Sequence, residues 1–525
     1  MIKRLKWGKA PGPSMLTTNM IKLWPPEVVE WAHKAMNIMW EARYSPDWWG
    51  DRVLCPAPKK ADSNALTNMR PISLYEILRK MWTGSIVSRI QAVWHKHNVL
   101  HPGQHGYRWR QGTDTALLRL INSMEDHEEA QSEQYCTLWD IRRCFDSISK
   151  NLMKLAWARL GVPEDTLEWF LDLDQQGLTF IWSPHMADNC EPRSEDEMRR
   201  SDGHFIRKSD LGFVAQRGCG QGDTLSAAVF TAVYDILLAL LDPDDLTPDI
   251  AYADDLTTMA DSATESQRRA ILVSAFCAFS GLEMGPSKIL ALVIDPNVDP
   301  ADNPPDAPTL TVYNWQWEPI EIQIQSDRSS VKYLGIDIPL RPTVEDDLQW
   351  CITYAKSALL AVNLRAANAG CKLAVMHYQI LPKILYKASK GSWPLHAYRR
   401  IDRIFSAAYR RALHLPFSFP SALLYMPKKY HGLGLPRFSD RAQLLKWGAL
   451  QRTLAVGGPA ALSADALIRR HAVTVTDCEQ QTWQCSRPDP DSPSFLRSLV
   501  EWASHVKLSL CCGSVNENSP PRSLT

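Results

Sequence analysis

Three aspartates in this chain could together manage a divalent cation: Asp140 in Leu138-Trp139-Asp140-Ile141, and the adjacent pair in Tyr252-Ala253-Asp254-Asp255. Hard carboxylate oxygens from two separate segments are the donors that two-metal nucleotidyl transfer needs. An Asp-Asp dipeptide alone says little, because Asp244-Asp245 and Asp346-Asp347 also occur, in segments that read as solvated turns or helix starts. The pair at 254 differs in its company. Between it and Asp140 lies Arg217-Gly218-Cys219-Gly220-Gln221-Gly222-Asp223-Thr224-Leu225-Ser226. Glycines at that density let backbone approach a bulky ligand closely, and a Gln221 amide there can read a base-pair edge or a sugar. Phe145, five residues beyond Asp140, would bring a ring into the same pocket. Taken singly, each segment also fits a plain helix start, Asp140 as an N-cap and the glycines as a capping turn.

These residues must be placed by strands and helices that the hydropathy pattern suggests. Cys136 to Trp139 reads as a buried strand that ends on Asp140. Apolar spacing near 3.6 residues predicts helices from about Pro26 to Arg43 (with Val28, Trp31, Ala32, Ala35, Met36 and Met39 on one face), from Tyr75 to His95, and from Asn151 to Leu160. A further helix is expected over Leu225 to Leu241, with Asp223 and Thr224 at its start. Val53-Leu54 and Arg70-Pro71-Ile72-Ser73-Leu74 read as short strands. Residues 184 to 210 read as a charged surface loop, and Asp295 to Pro308 as a Pro- and Asp-rich loop. Beyond about Pro342 the chain turns α-rich, with helical patterns over Asp346–Ala367, Lys372–Ser389, Tyr398–Leu413 and Ser439–Leu454. After Ala455 the periodicity fades, and Asn516 to Thr525 reads as disordered.

At 525 residues, the chain exceeds a single core. Its net charge is zero, so total charge neither supports nor excludes a polyanionic partner. Distribution says more. Fourteen Lys or Arg face two acids between Leu381 and Arg452, whereas seven Asp and no base fall between Leu241 and Asp261. A basic surface apart from an acidic centre suits nucleic acid and metal-dependent chemistry. The twelve cysteines include no Cys-x-x-Cys pair and no His at zinc-knuckle spacing, so they read as free thiols in a reducing compartment. No apolar stretch follows Met1-Ile2-Lys3-Arg4-Leu5-Lys6, and the longest apolar run, Ala227 to Leu241, is broken by Asp235 and reads as too short to span a bilayer. The expectation is an intracellular protein without a membrane segment, nuclear if its host is a eukaryote.

The order of the segments carries more than any one of them. A strand ending in Asp, then Gly-Gln-Gly before a helix, then Tyr-Ala-Asp-Asp on a hairpin, resembles the palm of a reverse transcriptase. Leu54 to Lys60 and Asn68 to Leu74 resemble that family's fingers segments, and His101-Pro102-Gly103-Gln104-His105-Gly106-Tyr107-Arg108 its next block. Gly281 to Lys288 is similar to the block after the catalytic pair, and Lys332-Tyr333-Leu334-Gly335 to the primer-grip hairpin. The similarity is closest to non-LTR, LINE-like retrotransposon polymerases. Lys9-Ala10-Pro11-Gly12-Pro13 resembles their N-terminal extension, and His431-Gly432-Leu433-Gly434-Leu435-Pro436 a segment beyond the thumb. It covers roughly residues 5 to 455.

This resemblance implies an α+β right-hand polymerase with fingers, an antiparallel palm and an α-helical thumb. The implied divisions are an N-terminal extension (1–50), a reverse transcriptase domain (40–340), a thumb and post-thumb region (341–455) and a poorly defined tail (456–525). Asp140 and Asp254 would hold two Mg2+ ions about 4 Å apart, with Asp255 in support and Mn2+ as an alternative metal. Lys59 or Lys60, with Arg70, would clamp the incoming triphosphate. Phe145 would stack under the sugar and exclude a ribose 2′-hydroxyl, Gln221 and Gly222 would contact the template base pair or nucleotide sugar, and Lys288 stands where a general acid for pyrophosphate is placed. Tyr333, Leu334 and Gly335, with Arg399, Arg400, Arg403, Arg410 and Arg411, would hold the template–primer, Ile401, Ile404 and Ala408 packing inward. The implied partners are an RNA template, a DNA primer and dNTPs, with no protein partner indicated.

Departures from the family pattern are Arg142-Arg143 and Cys144 after the first aspartate, Cys219-Gly220 before Gln221, and Ala227 where Pro is usual. None removes a catalytic group. With no endonuclease ahead of the extension motif, and neither a zinc knuckle nor an RNase H carboxylate set after the thumb, the expectation is a truncated copy of a longer mobile-element protein. Two other readings are an inactive RNA-binding relative and an intron-encoded reverse transcriptase with maturase activity. The intact aspartates weigh against the first and the 431–436 segment against the second.

Overall fold

Strand Gln134–Trp139 is covered on both faces, and that explains why four of its six residues are apolar and its polar Gln134 and Thr137 are buried. Cys136 and Leu138 pack against Ala116, Leu117, Leu120 and Met124 of helix Thr113–Ala130. Tyr135 and Trp139 face the opposite way, toward helices Thr224–Leu241 and Ala263–Ser280. The alternation follows from the two-residue repeat of a strand. The computed structural model describes residues 2–59, 69–142, 144–175, 177–181, 213–243, 249–295, 308–326, 330–339, 346–456, 458–471, 473–475, 482–484, 494–506 and 510–511. Lys60 and the 184–210 loop expected from the sequence lie outside these residues.

Around that strand is a six-stranded sheet in the order Thr309–Tyr313, Pro319–Gln325, Leu290–Ile294, Gln134–Trp139, Asp255–Ala260, Ile250–Tyr252. All neighbours are antiparallel except Leu290–Ile294 with Pro319–Gln325. A second sheet runs Met69–Tyr75, Arg52–Pro58, Leu178–Ile181, Phe213–Val214. Mixed sheets with helices on their faces make the fold α+β, the class expected from the sequence.

A separate helical core holds Asp346–Leu364, Leu381–Ala388, Leu395–Ala412 and the start of Phe438–Val456. Helix 395–412 buries Tyr398, Ile401, Phe405, Ala408 and Tyr409 along one face, a spacing of three and four residues. Ile401 and Ala408 pack inward as expected, and Ile404 is partly buried. The periodicity that fades after Ala455 conceals a helix at Gly458–His471 and another at Arg497–His505. Leu467, Leu499 and Trp502 from these helices pack with Leu450 and with Leu118 and Ile121 of helix 113–130. Short helices with few apolar residues gain stability from such packing rather than from propensity.

Three expectations need correction. Helix Pro26–Ala42 forms at its expected place, and Met36 and Met39 pack inward as expected, with Trp40, but Val28 and Trp31 are exposed, Trp31 at 71%. The helix packs on the core chiefly through its C-terminal half, which leaves Val28 and Trp31 at the surface. The apolar run before Asp242 is part of an 18-residue helix, Thr224–Leu241, which by length and composition could cross a membrane; 72% of it is buried in the protein, which marks a core helix. Asp235, whose charge seemed to interrupt that run, is itself buried, accepting from the His101 amide at 2.5 Å and pairing with Arg159 at 2.5 Å. Lastly, the basic stretch 381–452 is only partly a surface. Lys446 is fully buried and donates to Gly391 O, Phe495 O and Ser498 Oγ at 2.6 to 3.0 Å. Lys387 pairs with Asp337 and Asp347.

Candidate active site

The aspartates meet because of register. Trp139 lies opposite Leu256 and Tyr252 opposite Asp255, so the residue after Trp139, Asp140, comes level with Asp255 across the strand pair. Residues directly opposite in such a pair have Cβ atoms about 5 Å apart. Asp254 sits in the two-residue turn between the paired strands, after Ala253, whose φ is +56°. A non-glycine residue in that region carries local strain, which the surroundings must hold in place. They do so from the 101–106 loop: Ala251 N donates to Gly103 O at 2.9 Å, and His105 N to Ala251 O at 2.8 Å. Gly106 passes so close that a Cβ there would lie 2.5 Å from Ala253 N. Beneath the turn, Tyr234 Oη donates to Asp254 O at 3.4 Å.

Loss of hydration, then the charges of Asp254 and Asp140, push the Asp255 carboxyl up to about 6. Three carboxylates that repel one another are a set that a hard cation relieves, and oxygen donors suit Mg2+ or Mn2+. Among the described residues, no three His, Cys, Asp or Glu side chains close round one point as a metal cage does. Lys288 instead places its ammonium 3.4 Å from both oxygens of Asp140. Gly285 brings that segment in, its amide donating to Asp140 O at 2.8 Å, and a Cβ at Gly285 would collide with Asp140 Oδ2.

The acidic centre around 241–261 therefore separates into different roles. Asp249 is fully buried, pairs with Arg269, and accepts from Met259 N at 2.9 Å, so it is structural. Asp261 is exposed 3.5 Å from His127. Asp254 and Asp255 remain at the hairpin; residues 244–248 lie outside the description.

The other sequence-derived candidates distribute unevenly. Arg70 and Lys59 are exposed, on and just beyond the Met69–Tyr75 and Arg52–Pro58 pair. Gln221 is brought to the outer edge of the same strand, Ser73 N donating to Gln221 O at 2.7 Å. Phe145 is mostly covered, its ring stacked on Phe230 at 4.4 Å. Tyr333 is buried in the core beside the sheet, and only the turn Leu334-Gly335 after it reaches the surface. Tyr386 Oη holds that turn by donating to Leu334 O at 2.7 Å. Arg399, Arg400, Arg403 and Arg411 are exposed, whereas Arg410 is half-buried and donates to Phe419 O and Ser421 Oγ.

Sequence reasoning did not single out His105 as a titrating group. It is 2% exposed, with Nδ1 2.9 Å from Thr115 Oγ1. Burial first, then the charges of Arg119 and Arg108, hold its imidazole well below the usual range, against a smaller opposing hydrogen bond from Gln111. A depressed folded-state pKa gives stability that is present above the unfolded value, near 6.5, and is lost as pH falls below it. The expected loss is at most about 1.4 kcal/mol per pH unit. Urea unfolding of the wild type at pH 7.5 and 5.5 should show a steeper decline than that of His105→Gln, and equal declines would refute the assignment.

The family model for reverse transcriptase (RNA-dependent DNA polymerase) matches residues 57–338, more than half of the chain, and the chain belongs to that family. Its α+β layout accords with that membership. It is 25% identical over 387 residues to the retrovirus-related Pol polyprotein from type-1 retrotransposable element R2 of Popillia japonica, covering 72% of this chain and 50% of that protein. To the Pol polyprotein of the type-2 element R2DM of Drosophila melanogaster it is 23% identical over 399 residues, 74% of this chain and 34% of that one. The RNA-directed DNA polymerase from the mobile element jockey of the same fly matches 149 residues at 24% identity, 28% of this chain and 16% of that protein. The chain thus spans half or less of the length of these curated relatives. Among solved structures, a telomerase from Candida albicans in complex with a fragment of telomeric RNA aligns with a TM-score of 0.36 at 9% identity, over 82% of this chain and 67% of that one. A likeness so loose carries no structural argument.

Proposed function

We propose that this chain is an RNA-directed DNA polymerase of a non-LTR retroelement, copying a primed RNA template into cDNA by two-metal nucleotidyl transfer. The observation that carries the reading is the register that sets Asp140 level with Asp255 beside the Asp254 turn. Asp140, Asp254 and Asp255 would hold two Mg2+ ions, or Mn2+, which when bound activate the primer 3′-hydroxyl and neutralise charge on the phosphates. The protein's own groups do the remaining work. The guanidinium of Arg70 is suited to bidentate phosphate contact, with Lys59 or Lys60 as a second cation. Gln221 and Gly222 would meet the nucleotide or its template base, and Phe145 would lie under the sugar. Lys288, 3.4 Å from Asp140, would supply the general acid for pyrophosphate.

On this reading residues 40–340 are fingers and palm, with residues 1–50 as an N-terminal extension seated on the fingers. Support comes from Ser14, whose amide and hydroxyl both donate to Glu76 at the start of helix Ile77–Lys96. Residues 341–455 would be thumb and post-thumb, with Arg399, Arg400, Arg403 and Arg411 toward the template–primer backbone through salt-dependent contacts, and residues 456–525 a tail. The test is primer extension on an RNA template by purified protein. Extension with dNTPs, its suppression by EDTA and weak use of rNTPs are expected, and no metal-dependent extension would sink the reading.

A further inference from the structure

The guanidinium of Arg79 is completely buried, and so is its partner. Nε and Nη2 donate to Asp223 Oδ2 at 3.0 and 2.7 Å, with side-chain exposures of 0% and 1%. Nη1 donates to Trp49 O at 2.9 Å, and the guanidinium lies 4.1 Å over the ring of Tyr75. Asp223 caps helix Thr224–Leu241, its Oδ1 3.5 Å from Leu225 N and 3.4 Å from Thr83 Oγ1. One cation therefore holds both the end of the strand that carries Arg70 and the first residue after Gly220-Gln221-Gly222. That turn has no slack. Gly222 has φ +127°, and a Cβ on it would lie 2.3 Å from Ser73 O; a Cβ on Gly220 would strike Tyr75 Oη and Ser73 Oγ. Ser226 Oγ donates to Gly220 O at 2.8 Å from the other side.

A buried ion pair contributes little net stability compared with apolar side chains of the same volume, although breaking one partner is costly. What it supplies is direction, two charge-assisted bonds from Nε and Nη2 converging on Asp223 Oδ2. We propose that the Arg79–Asp223 pair is a positioning element for nucleotide capture, seating the Gly220–Gly222 turn so that Gln221 stands at the edge of the Arg70 strand; this rests on the polymerase reading above. Neither residue touches the nucleotide. They act through Gln221.

Asp223→Asn keeps an oxygen for the Leu225 amide and nearly the same volume while removing the charge. Single-nucleotide extension should show its dNTP KM raised about tenfold or more, with the template–primer Kd within about twofold of wild type. Amide exchange at Ser73, which reports the bond to Gln221, should accelerate in step. Arg79→Lys, which retains the charge, should fall between, and is the variant to read if Asp223→Asn does not fold. Leu467→Ala, in the core under the C-terminal helices, supplies a comparable loss of melting temperature without a change in KM. An unchanged dNTP KM or Ser73 exchange rate in Asp223→Asn, or an equal KM rise in Leu467→Ala, overturns the positioning role alone. A wild-type protein that extends no primer overturns the polymerase reading and this inference with it.

Discussion

Asp254→Asn is expected to lower nucleotide incorporation on the order of a thousandfold or more, at least about 4 kcal/mol of transition-state stabilisation. The fold should not suffer. Asp254 is exposed at the tip of a turn, and the bond beneath it is made to its backbone carbonyl by Tyr234. Stability at neutral pH should stay level or rise slightly, for an electrostatic reason. The folded state raises the Asp255 carboxyl to about 6, partly through Asp254, so the native form is penalised once Asp255 ionises, and that penalty shrinks as pH falls through 6. Removing the neighbouring charge relieves part of it at all higher pH, burial being the larger cause. Primer extension, template–primer binding and thermal unfolding measured together decide the matter. Activity retained within tenfold would show that Asp254 does not hold the metal, and lost binding or a lower melting temperature would show a structural role.

The second large effect concerns an aspartate that sequence alone would group with the catalytic ones. Asp249→Ala is expected to destabilise the protein by about 3 to 5 kcal/mol. The substitution removes the carboxylate facing Arg269, whose side chain is 3% exposed, and leaves Glu265, 2.9 Å from Arg269 Nε, as a carboxylate neighbour. It also removes the acceptor for the Met259 amide in the middle of the strand that begins at Asp255. Asp249→Asn keeps an oxygen for that amide and should recover part of the loss. The urea midpoint of each variant reads this directly, and a change under about 1 kcal/mol for Asp249→Ala would refute it. Since Ile250 follows at once, the variant tests whether the Asp254–Asp255 hairpin is held from behind its own strand.

Helices 224–241 and 395–412 were legible in the sequence, whereas Thr113–Ala130 and Ala263–Ser280 were not expected from it. Helix 224–241 begins where Asp223 and Thr224 signalled it, and helix 395–412 turns the expected Ile401 and Ala408 inward. Strand 134–139 was legible as a short apolar run ending on Asp140. The paired strands Thr309–Tyr313 and Pro319–Gln325 were not expected, although Leu310, Val312, Ile322 and Ile324 alternate as a half-buried strand requires, because Pro and Asp dominate the approach to them. Helices 458–471 and 497–505 were missed for a related reason. Their apolar residues are completed by Leu118, Ile121 and Leu450 from far away in the chain.

By itself the sequence determined the family, the order of the blocks and the three carboxylates, because residue type and spacing are what metal and phosphate chemistry demand. Which charges are available to a substrate was decided only by the tertiary structure. Asp249, Asp235 and Lys446 have the same composition as working residues, yet each is buried on a partner distant in sequence. Arg79 and Asp223, 144 positions apart, became one unit in the same way. Ionic and hydrogen-bonded pairs between remote segments leave no periodicity behind, so only the folded chain separates the aspartates left exposed at the hairpin from those that hold the fold.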